Sequence, residues 1–141
     1  MKNGVRMHRN IHFITIMLLA LNVLCGCSKE RKLDGDFTVV INGTVSVAAT
    51  GEPLEGVQIT FKAIDTNRSK ELISRNIYTD SNGSYMIESE GFDSPLKCIL
   101  DVTHPDYNSI MKTILVNWNS SSYDDETNTF FVNECDFHLE K

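Results

Sequence analysis

FTVVINGTVSV, residues 37–47, is the stretch that decides the fold. Apolar side chains or glycine occupy every odd position, and most of the even positions between them are polar. Successive side chains of a β-strand point to opposite faces, so this alternation predicts a half-buried strand with one face on a core. The inward set is Phe37, Val39, Ile41, Gly43, Val45 and Val47, and the outward set includes Thr38, Asn42, Thr44 and Ser46.

The same period of two continues along the chain after the turn at 50–53, and a second turn follows at 80–83, where Asn82-Gly83 suits positive φ. No window has the period of a helix. Seven strands joined by turns predict an all-β fold, a seven-stranded antiparallel β-sandwich. The six further strands are Val57–Ala63, Glu71–Thr79, one that begins at Tyr85, Leu96–Thr103, Ile110–Val116 and Phe131–Leu139.

Two cysteines of the predicted domain fall on inward parities. Cys98 lies in the fifth predicted strand, and Cys135 shares the parity of Phe131, Phe137 and Leu139 in the seventh. An oxidising compartment would allow Cys98 and Cys135 to pair, and such a bridge would contribute about 3 to 4 kcal/mol. Either this disulfide or two buried core thiols agree with the pattern.

The first 26 residues have the layout of a secretory signal. Lys2, Arg6 and Arg9 precede an apolar run from Ile11 to Leu24. A transmembrane helix needs about 20 apolar residues, and this run is shorter and contains polar side chains. We therefore expect an export signal that is cleaved.

The end of this segment, Leu24-Cys25-Gly26-Cys27, resembles the lipobox of bacterial lipoproteins. The resemblance implies signal cleavage between Gly26 and Cys27 and fatty acylation of Cys27, typically with palmitate. Two or three acyl chains give stable membrane anchoring. The alternatives are a soluble exported protein cut at the same bond and an uncleaved anchor.

These features predict a domain organisation and a location. Residues 1–26 are the lipoprotein signal peptide, 27–36 the lipidated end with a polar tether, and 37–141 one folded domain. We expect the protein in the bacterial cell envelope, held by its lipid at the outer membrane, with the periplasmic or surface face left open.

Charge narrows the classes of partner. Residues 27–141 carry ten basic and 19 acidic side chains, a net charge of −9. Such a surface repels phosphate backbones and anionic headgroups, so nucleic-acid binding is disfavoured and membrane contact is expected from the lipid.

Two motifs carry a further resemblance: GEPLEGVQI at 51–59 and TDSNGSY at 79–85. They are similar to the pattern G-x-P-L-x-G-V-x-I followed by T-D-x-x-G-x-Y of the carboxypeptidase regulatory-like domain. This resemblance covers about residues 37–116. It implies a transthyretin-like (prealbumin-like) sandwich that folds or binds without an active site of its own.

Two acidic segments invite a calcium interpretation. An EF-hand loop that began at Asp80 would need a carboxylate at its twelfth position, which is Gly91, so a tight turn is the better interpretation. Asp124-Asp125-Glu126 could bind calcium, but a charge run in a loop is usually a solvated face. No metal and no cofactor is therefore expected.

Catalytic motifs are absent from the sequence. His104 and His138 are the histidines after residue 26, and His104 stands six residues from Cys98, roughly 20 Å along a strand. There is no G-x-S-x-G, H-E-x-x-H or phosphate-binding glycine loop. These absences predict that the chain is not an enzyme.

The longest irregular stretch, 117–128, contains Trp118 and Tyr123 among asparagines and serines. Long loops on a rigid sandwich often bind partners, and these residue types suit an envelope protein or a glycan. The alternative is an ordinary loop whose aromatic side chains fold back onto the core.

Together these features predict a non-catalytic cell-envelope lipoprotein whose β-sandwich is a binding or accessory module. One alternative is a structural subunit or anchor of a surface assembly that pairs through its sheet edges. A transthyretin-related hydrolase is the other.

Overall fold

Two β-sheets share one apolar core in the computed structural model of the protein, which describes residues 36–117 and 123–141. Within these residues no helix has the length and apolar character needed to cross a membrane. The strands are β1 (Phe37–Val47), β2 (Gln58–Asp65), β3 (Lys70–Tyr78), β4 (Ser84–Phe92), β5 (Leu96–His104), β6 (Tyr107–Val116), β7 (Tyr123–Asp124), β8 (Thr129–Val132) and β9 (Phe137–Leu139).

The first strand organises one of the two sheets. This sheet has the order β4-β1-β8-β7, and β9 pairs with β1 beyond the end of β8. The second sheet has the order β3-β2-β5-β6 and is antiparallel throughout. The prediction of an all-β, two-sheet sandwich is therefore confirmed.

Two details of the predicted sandwich are wrong. The described residues form nine strands instead of seven, because the predicted strand 131–139 is broken into β8 and β9 and a short β7 precedes them. The sandwich is also not purely antiparallel, since β8 and β9 both run parallel to β1. The break has a local cause: Glu134 has a φ of 57°, a left-handed conformation that does not continue a strand.

The same break changes which aromatic side chain faces the core. Phe130 is 1 % exposed and Phe131 is 36 % exposed, so the prediction that Phe131 points inward is wrong. Cys135, Phe137 and Leu139 are buried as predicted. The parity therefore shifts by one residue between β8 and β9.

Alternation in β1 is the main source of the core. Phe37, Val39, Ile41 and Val45 are at most 1 % exposed. The ring of Phe37 lies 5.1 Å from that of Phe130, centroid to centroid. Each such fully buried side chain contributes about 1.5 to 3 kcal/mol through the hydrophobic effect.

The turn predicted at 80–83 is confirmed. Gly83 has a φ of 70°, and a Cβ there would overlap the carbonyl oxygen of Val45. The Asp80 carboxylate accepts hydrogen bonds from the backbone N–H groups of Asn82 (2.9 Å) and Ser84 (2.8 Å). The carboxylate thus serves the turn itself.

Candidate functional site

An open groove of about 650 Å³ lies at one end of the sandwich, where β1 and β9 end and β6 begins. Its accessible apolar wall includes Val47, Ala48 and Ala49, with the fully buried Leu139 beneath them. Small-molecule sites in proteins typically measure about 300 to 1,000 Å³ and combine apolar walls with a few polar groups. The groove has this size and this kind of lining.

Backbone hydrogen bonds hold three distant chain segments together around the groove. The N–H of Ala48 donates to the carbonyl of Leu139 (2.9 Å), and the N–H of Asn108 donates to that of Glu140 (2.7 Å). The N–H of Val47 donates to the carbonyl of Glu52 (2.9 Å). The groove is therefore formed by the fold itself. No local sequence pattern predicts the groove, because its three segments, 47–52, 107–108 and 139–141, are more than 30 residues apart along the chain.

One aromatic ring in the groove is flanked by two other side chains. Tyr107 is half-buried, and the ring of His104 meets it edge-on with 5.0 Å between centroids. The Nζ atom of Lys141 lies 5.8 Å from the Tyr107 centroid, within the range of a cation–π contact. His104 thus packs against a ring that lines the groove.

Carboxylates also line the groove. Glu52 follows the turn after β1, Glu140 follows β9, and both contribute to the lining together with Lys141. Two acidic residues and one basic residue give the described part of the lining a net negative charge.

His138 belongs to a polar row on the outer face of β1 and β9. Its Nδ1 lies 2.8 Å from the Ser46 hydroxyl. A hydroxyl next to an imidazole is the pair that many hydrolases use as nucleophile and base, and a third group usually orients the base. Asp136, on the same face, accepts hydrogen bonds from the N–H (2.7 Å) and the hydroxyl (2.9 Å) of Thr44. These contacts tie β9 to β1.

Both cysteines of the domain are free thiols in the structure. Cys98 and Cys135 are buried, as their parity predicted, and of the two alternatives the structure has the buried thiols. Burial raises the pKa of Cys98 to about 12, so the reactive thiolate is scarce at neutral pH. The predicted lipidation and cleavage residues, Cys27 and Gly26, lie outside the described residues.

The predicted binding loop is described in part. Trp118 lies outside the described residues. Tyr123 starts β7, packs its ring 4.6 Å from that of Phe130, and donates a hydrogen bond from its hydroxyl to the side chain of Asn128. Tyr123 therefore faces the core, and the predicted partners, an envelope protein or a glycan, stay predictions.

The acidic segment after Tyr123 is a hydrogen-bonded turn. The Asp124 carboxylate accepts from the N–H of Glu126 (2.9 Å) and the hydroxyl of Thr127 (2.9 Å). These bonds lower the pKa of Asp124, the one from the Glu126 N–H contributing most. Within residues 36–117 and 123–141, no three His, Cys, Asp or Glu side chains lie close enough together to hold a metal ion.

Comparison with known proteins identifies relatives of the fold. No family model matches the chain, and no curated protein matches it. Among solved structures, the 3-chlorocatechol 1,2-dioxygenase of Rhodococcus opacus 1CP is similar, with a TM-score of 0.54, 17 % identity, and coverage of 77 % of this chain and 61 % of that one. The chlorocatechol 1,2-dioxygenase of Pseudomonas putida is similar with a TM-score of 0.55 and 16 % identity, and the match covers 79 % of this chain and 63 % of that one. The catechol 1,2-dioxygenase of Pseudomonas arvilla C-1 has a TM-score of 0.50 and 13 % identity, and the match covers 91 % of this chain and 68 % of that one.

These neighbours share a fold with this chain. It spans less than two thirds of the length of the two chlorocatechol dioxygenases. Identities of 13 to 17 % support a common architecture, and function has to be argued from the site.

The neighbours nevertheless contradict two predictions. The chain was expected not to be an enzyme, and its sandwich was expected to be a non-catalytic binding or accessory module or a structural subunit. The same fold occurs in dioxygenases, so the sandwich cannot serve as grounds for excluding catalysis. Both predictions are withdrawn.

The described residues do not include the cluster of ligands that a common oxygen-activating iron site needs. Proteins activate dioxygen with a metal or a redox cofactor, and one common non-haem iron site consists of two histidines and a carboxylate. His104 lies on β5 and His138 on β9, in opposite sheets, and neither belongs to a cluster of three ligands among the described residues. The residues present therefore do not fit such a centre.

Proposed function

We propose that the protein is lipid-anchored in the bacterial cell envelope and takes a small organic molecule, as a ligand or as a substrate, into the groove at the end of its β-sandwich. The observation that carries this function is the groove itself, which three chain segments build with mutual backbone hydrogen bonds. Its size and mixed lining suit a ligand of modest size.

The envelope location rests on the first 27 residues. A basic start, an apolar run and the sequence Leu24-Cys25-Gly26-Cys27 support lipidation of Cys27. The motifs at 51–59 and 79–85 support a transthyretin-like sandwich of the carboxypeptidase regulatory-like kind as the finer description of the fold. Acyl chains on Cys27 would hold the sandwich at the outer membrane.

Fractionation of a bacterial host tests the location. Cys27→Ser removes the acceptor sulfur, and Cys25→Ser is the matched control two residues away. We expect wild type and Cys25→Ser in the membrane fraction and Cys27→Ser outside it. Equal partitioning of the two variants would overturn the anchor.

A ligand screen tests the groove. Ligand-observed NMR on the purified full chain in zwitterionic detergent should identify fragments that bind, and Ala48→Trp should remove their signals by filling the groove. Thr113→Trp, an exposed site on β6, is the control and should keep them. Hits that survive Ala48→Trp unchanged would contradict the proposal.

Oxygen-dependent turnover of an aromatic compound is a second candidate function. Its sole support is the fold shared with two chlorocatechol dioxygenases, with TM-scores of 0.54 and 0.55, since no three His, Cys, Asp or Glu side chains of the described residues form a metal cluster. An oxygen electrode with catechol as the probe, with and without added ferrous or ferric iron, tests it. Oxygen uptake with ring-opening absorbance would support this candidate, and no uptake in any condition would eliminate it.

A further inference from the structure

We infer that the groove takes an organic cation, an ammonium or quaternary ammonium group carried on a small apolar body. This inference rests on the proposed ligand-binding groove and names its ligand class. The observation behind it is the position of Lys141, whose Nζ lies 5.8 Å from the centroid of the Tyr107 ring. The ammonium group of Lys141 thus lies over the Tyr107 ring, in the position that the ammonium group of a ligand would take.

The Tyr107 ring is held in place to receive such a group. It is half-buried at the start of β6, and the edge-on contact with His104 at 5.0 Å limits its rotation. The negative face of an aromatic ring attracts ammonium and quaternary ammonium groups, and this attraction grows when the cation is partly desolvated.

Charge favours a cation over an anion at this end of the molecule. Among the described residues that line the groove, Glu52 and Glu140 are acidic and Lys141 is the one basic residue. The net charge of −9 over residues 27–141 adds an attractive field for cations. An anionic ligand would meet two like charges on entry.

The apolar wall defines the rest of the ligand. The accessible apolar wall consists of the half-buried Val47 and the exposed Ala48 and Ala49, and the fully buried Leu139 lies beneath it. A ring or short alkyl body would pack there while its ammonium group reaches Tyr107. An entering cation would have to displace Lys141, so this lysine acts as an internal competitor.

Three probes that differ in charge test the inference: benzylammonium, benzyl alcohol and benzoate. NMR titration of the full chain in zwitterionic detergent should show benzylammonium binding about tenfold or more tightly than benzyl alcohol. Benzoate should bind least well. Benzoate binding as tightly as benzylammonium would overturn the inference.

Variants of the ring and the lysine sharpen the test. Lys141→Met should tighten benzylammonium binding several-fold because it removes the competitor. Tyr107→Leu should weaken it about tenfold, and Tyr107→Phe, which keeps the ring, should not. Glu52→Gln should also weaken it. Unchanged or weaker binding in Lys141→Met would overturn the inference even if Tyr107→Leu failed to fold.

The outcomes separate this inference from the proposed function. If neutral or anionic compounds bind in a way that Ala48→Trp abolishes, and benzylammonium has no advantage, the ligand class is wrong and the groove proposal stands. If no compound binds to wild type, both fail.

Discussion

The hydroxyl of Tyr85 donates a hydrogen bond of 2.5 Å to the backbone carbonyl of Cys135. Tyr85 is 5 % exposed, and burial, followed by the neighbouring Cys135 side chain and the Asp136 charge, raises its pKa well above the ordinary value. Gly43 lies opposite Tyr85 on β1, and a Cβ on Gly43 would overlap the same carbonyl oxygen. The carbonyl of Cys135, in the link between β8 and β9, is therefore bonded by a side chain of β4 and lies close against a glycine of β1.

Removing the Tyr85 hydroxyl should weaken the fold. Tyr85→Phe leaves the ring but deprives the buried Cys135 carbonyl of its side-chain donor, so we expect a loss of about 1 to 3 kcal/mol in the free energy of unfolding. Urea titration measures it. Tyr78→Phe is the control, since that hydroxyl is exposed and makes a 3.3 Å bond to Gln58, and it should change stability by less than about 0.5 kcal/mol. Equal effects in the two variants would contradict the role of this bond.

A methyl group at position 43 should be poorly tolerated. Gly43→Ala forces backbone to move because the obstructing atoms belong to the Cys135 main chain, and we expect a cost of about 3 kcal/mol or more. Gly51→Ala has open space around its Cβ and only the strain of a φ of 73°, which costs about 1 to 2 kcal/mol. Thermal or urea unfolding of both variants checks the order, and a smaller loss in Gly43→Ala would refute the close contact.

Cys98 should be slow to react in the native protein. Its pKa of about 12 lies above that of an unfolded thiol, so unfolded chains lose this proton first and stability should fall as the pH rises above about 9. Labelling with an aromatic disulfide reagent at pH 8 should be slow without denaturant and fast in urea. Cys98→Ala should remove the part of the loss that begins near pH 9, whereas the loss due to Tyr85 should begin near pH 10 and remain. Rapid native labelling, or a Cys98–Cys135 bond in non-reducing peptide mass spectrometry, would disagree with the structure.

Asp65 should contribute to acid unfolding. Its side chain is fully buried, and burial alone would raise its pKa. The carboxylate accepts hydrogen bonds from the N–H groups of Arg68 (3.0 Å) and Asn67 (2.8 Å) and lies beside the Arg68 charge. These interactions hold the pKa below its ordinary value. A lowered pKa in the folded state means stability that is present above pH 4 and is lost as the pH falls further. Asp65→Asn should be less stable than wild type at pH 7 and should lose less stability on acidification.

The control for that measurement is Asp106→Asn, an exposed carboxylate in the turn between β5 and β6. Urea titrations at pH 7 and pH 3 should give this variant the same pH dependence as wild type. If Asp65→Asn also keeps the full wild-type dependence, the Asp65 carboxylate is not the group responsible.

Local patterning predicted the part of the fold that local rules control. The alternation in 37–47 determines β1 and its buried face, and the turn at 80–83 follows from Asp80 and the positive φ of Gly83. Local rules did not predict the conformation of Glu134. Its left-handed φ of 57° breaks the predicted strand 131–139, and a glutamate in the sequence does not indicate that conformation. The exposed side of Phe131 followed from that single missed residue.

The groove could not be predicted from the sequence for a different reason. Val47, Tyr107 and Leu139 come together only because β9 runs parallel to β1 and contacts β6, and parallel pairing of a three-residue strand leaves no periodic signal. The contact between His138 and Ser46 depends on the same parallel pairing of β9 with β1.

The most direct test of a lipid-anchored envelope protein is the intact mass of the mature chain from a host with lipoprotein processing. We expect a chain that begins at Cys27 and carries the mass of a diacylglyceryl group, with or without a third acyl chain. A chain that keeps residues 1–26, or one whose Cys27 sulfur is unmodified, would contradict the account.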